Sequence, residues 1–308
     1  MKQGSDVFAK ENYRGLIFAT LATLLWAGNF VVSKSLYQDY SPVHLSFWRW
    51  TFAFILLLPF SWRRLTVTKL AVARRHLGFL FIASLFGMSL QTFLVYQAAH
   101  TTSATNQTLI GISAPVFVLL GGWLIFHRVP SLQTLLGIVV SYLGIYFLIS
   151  KGGSAGITPG DGLMLVAAAS FSVYTLMMQK QPIALDALLV LTLMAGCAAF
   201  QCGILYLLMG SLGDVSGFHL PGKEIGALLY FAIGPSILGY LFWGKAINEI
   251  GCMKAAYCYF LLPVYGAAMA VTLLGEGISL LQVVSYLFIV AGVFMSVKGD
   301  RVHVREYA

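Results

Sequence analysis

Residues 113–147 read SAPVFVLLGGWLIFHRVPSLQTLLGIVVSYLGIYF, and residues 261–295 read LLPVYGAAMAVTLLGEGISLLQVVSYLFIVAGVFM. At a shift of 148 residues, Pro115-Val116 falls on Pro263-Val264, Ser131-Leu132 on Ser279-Leu280, and Gly144 on Gly292. The register continues without a gap from 78–147 over 226–295, laying Gly78 on Gly226, Leu80 on Leu228, Leu90 on Leu238 and Ala98 on Ala246. Nine identities in seventy positions is a thin signal by itself. What gives it meaning is placement: both prolines lie midway along an apolar run, and both Ser-Leu pairs open the next run. The chain is an internal duplication of apolar segments.

Those segments set the solvent. With 308 residues the chain could form two ordinary soluble domains, but 59% of it is hydrophobic and 10% charged, against about 45–50% and about 25% in soluble proteins. Mean hydropathy is +0.83. So few polar side chains cannot cover a globular surface, which excludes a soluble enzyme, a DNA-binding protein and a disordered chain. The net charge of +8 is carried in short loops between apolar runs, the pattern of loops retained on the cytoplasmic side rather than of a nucleic-acid surface. Cys197, Cys202, Cys252 and Cys258 sit within apolar runs without metal or redox spacing and read as small buried hydrophobes. The polar N-terminus, Met1–Arg14, has no signal-peptide cleavage pattern, so the first apolar run is expected to stay.

A membrane-spanning helix needs roughly 20 mostly apolar residues. On that measure the sequence predicts ten, near 15–35, 43–61, 77–98, 103–126, 131–150, 161–180, 186–209, 224–244, 252–274 and 279–298. β-barrel alternation is absent. Ser131 and Ser279 read as helix N-caps after tight turns. With the N-terminus inside, the inner segments hold fourteen Lys and Arg (including Arg63, Arg64, Lys69, Arg74 and Arg75) and the outer ones three, Lys34, Lys151 and Lys223. Both termini are therefore expected to be cytoplasmic. Five spans per half is odd, so the expected fold is an all-α membrane protein of two inverted five-helix repeats. They would occupy 1–150 and 161–308, the second with a cytoplasmic tail, joined by the linker 151–160. Such repeats place a substrate near the midplane in many secondary transporters.

Five stretches resemble one family. APVFVLLGGWLIFHR, LLPVYGAAMAVTLLGE and the SLLQVVSYLFIVAGVFM that follows it look like the paired Pro-containing and closing helices of EamA-type proteins of the drug/metabolite transporter superfamily. FWRWTFAFILLLP, with Arg49, resembles that family's second span, and LLWAGNFVVSK its first. The family usually carries a glutamate after both Pro-containing helices; Glu276 matches, while Arg128 stands at the other position. The resemblance implies a transporter that exports amino acids, cofactors, nucleotide-linked compounds or drugs.

Polar groups in a bilayer are costly unless they face the bundle or water. Trp26, Asn29, Phe30 and Ser33 share one helical stripe, as do Ser236, Tyr240 and Trp243. Ser89, Thr92 and Tyr96 form another; Ser170 and Tyr174, Asn106 and Ser113, and Lys254, Tyr257 and Tyr265 complete the set. The 148 shift pairs Asn106 with Lys254 and Thr92 with Tyr240. Trp26, Asn29, Tyr96, Asn106, Tyr174, Tyr240, Trp243 and Tyr257 are the expected substrate-binding residues. The bland alternative, interhelical packing or interfacial anchoring, fits each of them singly. Arg49 and Lys254 are the charges inside spans. Arg49 could bind helix-end carbonyls, Glu276 or substrate, and Lys254 could snorkel to the surface.

No carboxylate or imidazole falls at mid-membrane depth, and no Walker A sequence, catalytic triad or metal-ligand cluster is present. The expectation is an inner-membrane exporter of amino acids or similar small amphipathic metabolites, working by alternating access. Its partners would be a small-molecule substrate and the lipid bilayer, with no nucleic acid, cofactor or metal, and it would be a monomer or weak dimer. The alternatives are a transporter of phosphorylated or nucleotide-linked anions, a membrane-embedded lipid-modifying enzyme, and a non-transporting interaction subunit.

Overall fold

A computed structural model describes the backbone of residues 2–36, 40–102, 104–127, 129–150, 158–211, 225–274 and 280–306. Side chains are described there except at 2–12, 34, 35, 104–106, 109, 145, 148–150, 210, 211, 267, 270–274, 281, 282, 286 and 300–306. The regular structure of the described residues is helical: α1 (Lys2–Leu36), α2 (Pro42–Trp62), α3 (Val67–Ser84), α4 (Leu90–Ala98), α5 (Ala104–Gly111), α6 (Ala114–Phe126), α7 (Leu132–Ser150), α8 (Pro159–Lys180), α9 (Ala187–Ser211), α10 (Ile225–Phe231), α11 (Gly239–Tyr257), α12 (Leu262–Leu274) and α13 (Leu280–Glu306). A π-helical turn, Leu85–Ser89, joins α3 to α4, and another, Ala232–Leu238, joins α10 to α11. A 3₁₀ turn, Cys258–Leu261, leads into α12.

The expectation of ten spans is corrected. Among the described residues, six helical stretches are long and apolar enough to cross a membrane: Tyr13–Ser33, Pro42–Trp62, Val67–Ala98, Pro159–Lys180, Ala187–Met209 and Ile225–Gly266. The reasons are local. The expected fourth span divides at Ser113, because Pro115 has no N–H to continue the ladder and Ser113 folds back, its Oγ donating to the Ile110 carbonyl at 2.7 Å. This leaves helices of 8 and 13 residues. The expected eighth and ninth spans run on as one 42-residue stretch, broken at Gly251, whose φ of 80° and ψ of 159° are outside the helical region. Ala114–Phe126, Leu132–Gly144 and Val283–Gly299 are apolar but shorter.

Particular side chains set the helix ends. Ser131 caps α7 as expected, its Oγ accepting from the Thr134 N–H at 3.1 Å; Ser279 lies outside the described residues. His127 closes α6 with a left-handed φ of 54°, its N–H donating to the Trp123 carbonyl at 3.0 Å. Asp161 accepts from the Thr158 N–H at 2.8 Å at the start of α8.

In packing, α1 lies against α11 and α12, α2 against α9, α4 against α8, and α7 against α13. The last pair is antiparallel and close because small residues meet across it. A Cβ on Gly144 would run into Ser285, and one on Gly292 or Gly299 into the backbone of α7. Close approach through small residues is how helices associate where lipid offers no hydrophobic gain. Many large apolar side chains on the outer faces, among them Leu124, Phe200, Leu207, Leu280 and Phe294, are exposed. They make a lipid-facing coat.

Candidate functional site

α1, α2, α4 and α8, the α5–α6 junction, α11 and the Cys258–Leu261 turn surround a small cavity. Its walls include Trp26, Asn29, Arg49, Gln91, Thr92, Phe171, Tyr240 and Tyr259. Helical spacing explains the grouping: Trp26, Asn29 and Phe30 stand at i, i+3 and i+4 on α1 and all three face the space.

Arg49 organises one side. Its Nε donates to Ser236 Oγ at 2.7 Å, and its Nη1 donates to Asn29 Oδ1 at 2.9 Å and to the Tyr96 hydroxyl at 3.0 Å. Tyr96 in turn donates to Asn29 Oδ1 at 3.2 Å. The guanidinium carbon lies 5.2 Å from the Trp50 ring centroid, within reach of a cation–π attraction. Arg49 therefore binds side chains rather than helix-end carbonyls, and Glu276 lies outside the described residues. Aromatic rings form the other side. Trp26 meets Phe171, Trp243 and Tyr259 with centroids 5.1, 5.3 and 5.5 Å away, mostly edge to face. Its indole N–H donates to the Pro235 carbonyl at 2.9 Å, and the Tyr240 hydroxyl donates to the Gly87 carbonyl.

Of the expected site residues, Trp26, Asn29 and Tyr240 line the cavity, and so does Arg49. Three others stand directly behind that lining. Tyr96 holds Arg49; Tyr174 packs on Tyr240 and Phe171; Trp243 packs on Trp26 and donates to Thr175 Oγ1 at 3.2 Å. Tyr257 is fully buried without lining the space, and half-buried Lys254 sits past the Gly251 break, also off the wall. The Asn106 side chain lies outside the described residues. Phe171, Tyr259 and Gln91 were not anticipated. A signal for one existed: Tyr259 falls on Gly111 at the 148 shift, and both border the cavity. Among the described residues, no group of three His, Cys, Asp or Glu side chains could hold a metal ion.

A helical, lipid-coated bundle around a cavity lined by apolar, aromatic and polar groups fits a membrane transporter. A model of the EamA-like transporter family matches residues 13–150 and 158–298, and the chain belongs to that family; it is a multi-pass membrane transporter of small metabolites, not an enzyme. It is 28% identical over 294 residues to an "uncharacterized transporter" of Archaeoglobus fulgidus, covering 92% of this chain and 98% of that one. It is also 28% identical over 299 residues to a "probable amino-acid metabolite efflux pump" of Salmonella typhimurium, covering 92% and 95%. A solved crystal structure shares the fold with a TM-score of 0.73 at 17% identity, over 94% of this chain and 98% of that one.

Proposed function

We propose that the protein exports amino acids or similar small amphipathic metabolites across the cytoplasmic membrane, by alternating access through the central cavity. The observation that carries this reading is the composition of the cavity wall. Trp26, Asn29 and Arg49 from one half of the chain meet Phe171, Tyr240 and Tyr259 from the other. Largely apolar walls, in part aromatic, with few polar groups suit a small molecule that has an apolar body and a polar end. The name of the Salmonella relative agrees, and the outward direction rests on the family resemblance. A phosphorylated or nucleotide-linked anion is less suited, because Arg49 is the single cation among the described lining residues.

Transport is by uniport or exchange down the substrate's own gradient. A proton-coupled carrier commonly uses a buried Asp, Glu or His, and none lines this cavity among the described residues. Residues 1–150 and 161–308 act as the two moving halves, and both termini are cytoplasmic. The test is counterflow of labelled amino acids in proteoliposomes, with and without a pH gradient. Saturable exchange that needs no pH difference, and that falls at least about tenfold in Trp26→Ala, is expected. Accumulation that depends on the pH gradient and disappears in Lys254→Met would overturn the coupling, and no exchange of any amino acid would overturn the substrate class. Labelling of cysteines placed at 63–75 from the outside only would overturn the orientation.

A further inference from the structure

Arginine carries five N–H donors in one planar fork. At Arg49, Nε serves Ser236 and Nη1 serves both Asn29 and Tyr96. Nη2 makes no hydrogen bond to any described residue, and among the described residues no carboxylate pairs with Arg49. The residue is 3% exposed and forms part of the cavity wall. Ser236, Asn29 and Tyr96 are neutral: they orient the fork without cancelling its charge. Among the described residues the other walls hold no acid, so these residues leave one uncompensated positive charge at the cavity. A buried charge left in that condition is costly unless something else completes it.

We propose that Arg49 is the group that receives a carboxylate of the substrate, through the donors on Nη2, with Asn29, Ser236 and Tyr96 as the residues that position it. The proposal rests on reading the cavity as the transport site and deepens that reading. It assigns the substrate class: monocarboxylates whose remaining atoms are apolar or aromatic, α-amino acids among them. The carboxylate sits on the Arg49 side, near Gln91 and Thr92. The apolar remainder lies against Trp26, Phe171 and Tyr259. An ammonium group on the substrate meets ring faces rather than an acid, which a cation–π contact can satisfy. A second negative charge would find no partner, and an uncharged amide loses the charge-assisted hydrogen bond.

The test compares two ligands on the purified wild-type protein: phenylacetate and its neutral counterpart phenylacetamide. Binding is followed by quenching of tryptophan fluorescence and by thermal shift. Phenylacetate is expected to bind at least about tenfold more tightly, and Arg49→Gln is expected to abolish the difference. Because Arg49→Gln could unfold by stranding its three partners, the ligand pair on the wild-type protein decides alone. Equal affinity for the two compounds, or no saturable binding of either, overturns the proposal. Preferential phenylacetate binding without counterflow of any amino acid would sustain it while overturning the amino-acid reading. Amino-acid counterflow inhibited equally by both compounds would do the reverse.

Discussion

Gly87 and Pro235 stand 148 residues apart in the chain, and each offers its carbonyl to an aromatic side chain from another helix. The Tyr240 hydroxyl donates to Gly87, and the Trp26 indole donates to Pro235 at 2.9 Å. Both acceptors lie inside π-helical turns, Leu85–Ser89 and Ala232–Leu238. A π-turn loosens the regular i→i−4 ladder and leaves carbonyls for other donors. Around the first turn the same need recruits Ser170, whose Oγ donates to the Phe86 carbonyl at 2.6 Å, and Gln201, whose Nε2 donates to the Phe81 carbonyl at 2.8 Å. These two π-turns are thus tied to the cavity's own aromatic residues. Movement at either turn would be felt at the site.

The Trp26–Pro235 bond is tested by Trp26→Phe, which keeps a ring among Phe171, Trp243 and Tyr259 but removes the donor. Loss of the bond is expected to destabilise the protein by about 0.5–1.5 kcal/mol. Thermal unfolding in detergent measures that, and counterflow measures the expected fall in exchange. A variant equal to wild type in both would show that this hydrogen bond matters neither for stability nor for transport.

Glycines along the same helices should respond oppositely to alanine. A Cβ on Gly87 would meet the Tyr174 ring, whereas Gly78 and Gly226, paired at the 148 shift, have nothing within 4 Å. Gly87→Ala should cost about 1–3 kcal/mol through overpacking. Gly78→Ala and Gly226→Ala should stabilise by up to about 1 kcal/mol through helix propensity alone. Unfolding midpoints of the three variants, ranked in any other order, would contradict the packing described around the first π-turn.

Sequence patterns made part of the cavity lining legible, and what they missed has physical causes. Trp26, Asn29 and Tyr240 could be picked out because a polar or amphipathic group in an apolar helix has to face something other than lipid. Phe171 carried no such mark, since a phenylalanine in an apolar run looks the same whether it packs or lines a cavity. Arg49 was visible as a charge, but its partners Ser236 and Tyr96 are 187 and 47 residues away and leave no local pattern. The span count failed for a related reason. Hydropathy sums over a window, and neither the two-residue interruption before Ala114 nor the turn at Gly251 changes that sum, although both interrupt the backbone. Family resemblance was carried by whole segments and survived these breaks.

Gln107 is fully buried on α5, and neither its Oε1 nor its Nε2 has a hydrogen-bond partner among the described residues. The corresponding residue in the second half is Ala255. An unsatisfied buried amide costs about 1–3 kcal/mol, so Gln107→Met, similar in length and without polar hydrogen-bonding demand, should raise the unfolding midpoint. If counterflow falls at the same time, Gln107 finds its partner in another conformation of the transport cycle. A lowered midpoint would show that the amide is already satisfied in this one.

Outside the membrane-spanning segments, Lys69 near the start of α3 donates to Asp186 Oδ2 at 2.6 Å, just before α9. That hydrogen bond, then the Lys69 charge, and more weakly the Arg64 charge, hold the Asp186 carboxyl below its ordinary range. A carboxyl whose pKa is lowered by folding stabilises the fold at pH above its unfolded value, about 3.9, and the contribution disappears as pH falls through the lowered value. Asp186→Asn isolates the charge. Asparagine caps a helix about as well as aspartate, and the backbone bond from the Val190 N–H to the residue 186 carbonyl, 3.0 Å, does not depend on the side chain. The variant should therefore be less stable than wild type at neutral pH, and the two should converge under acid conditions. Because the pair is exposed, the difference should be small and should shrink in molar salt. Unfolding midpoints of both proteins across pH and salt provide the measurement. A gap that persists unchanged at low pH would assign the effect of the substitution to packing or capping rather than to the ion pair joining α3 to α9.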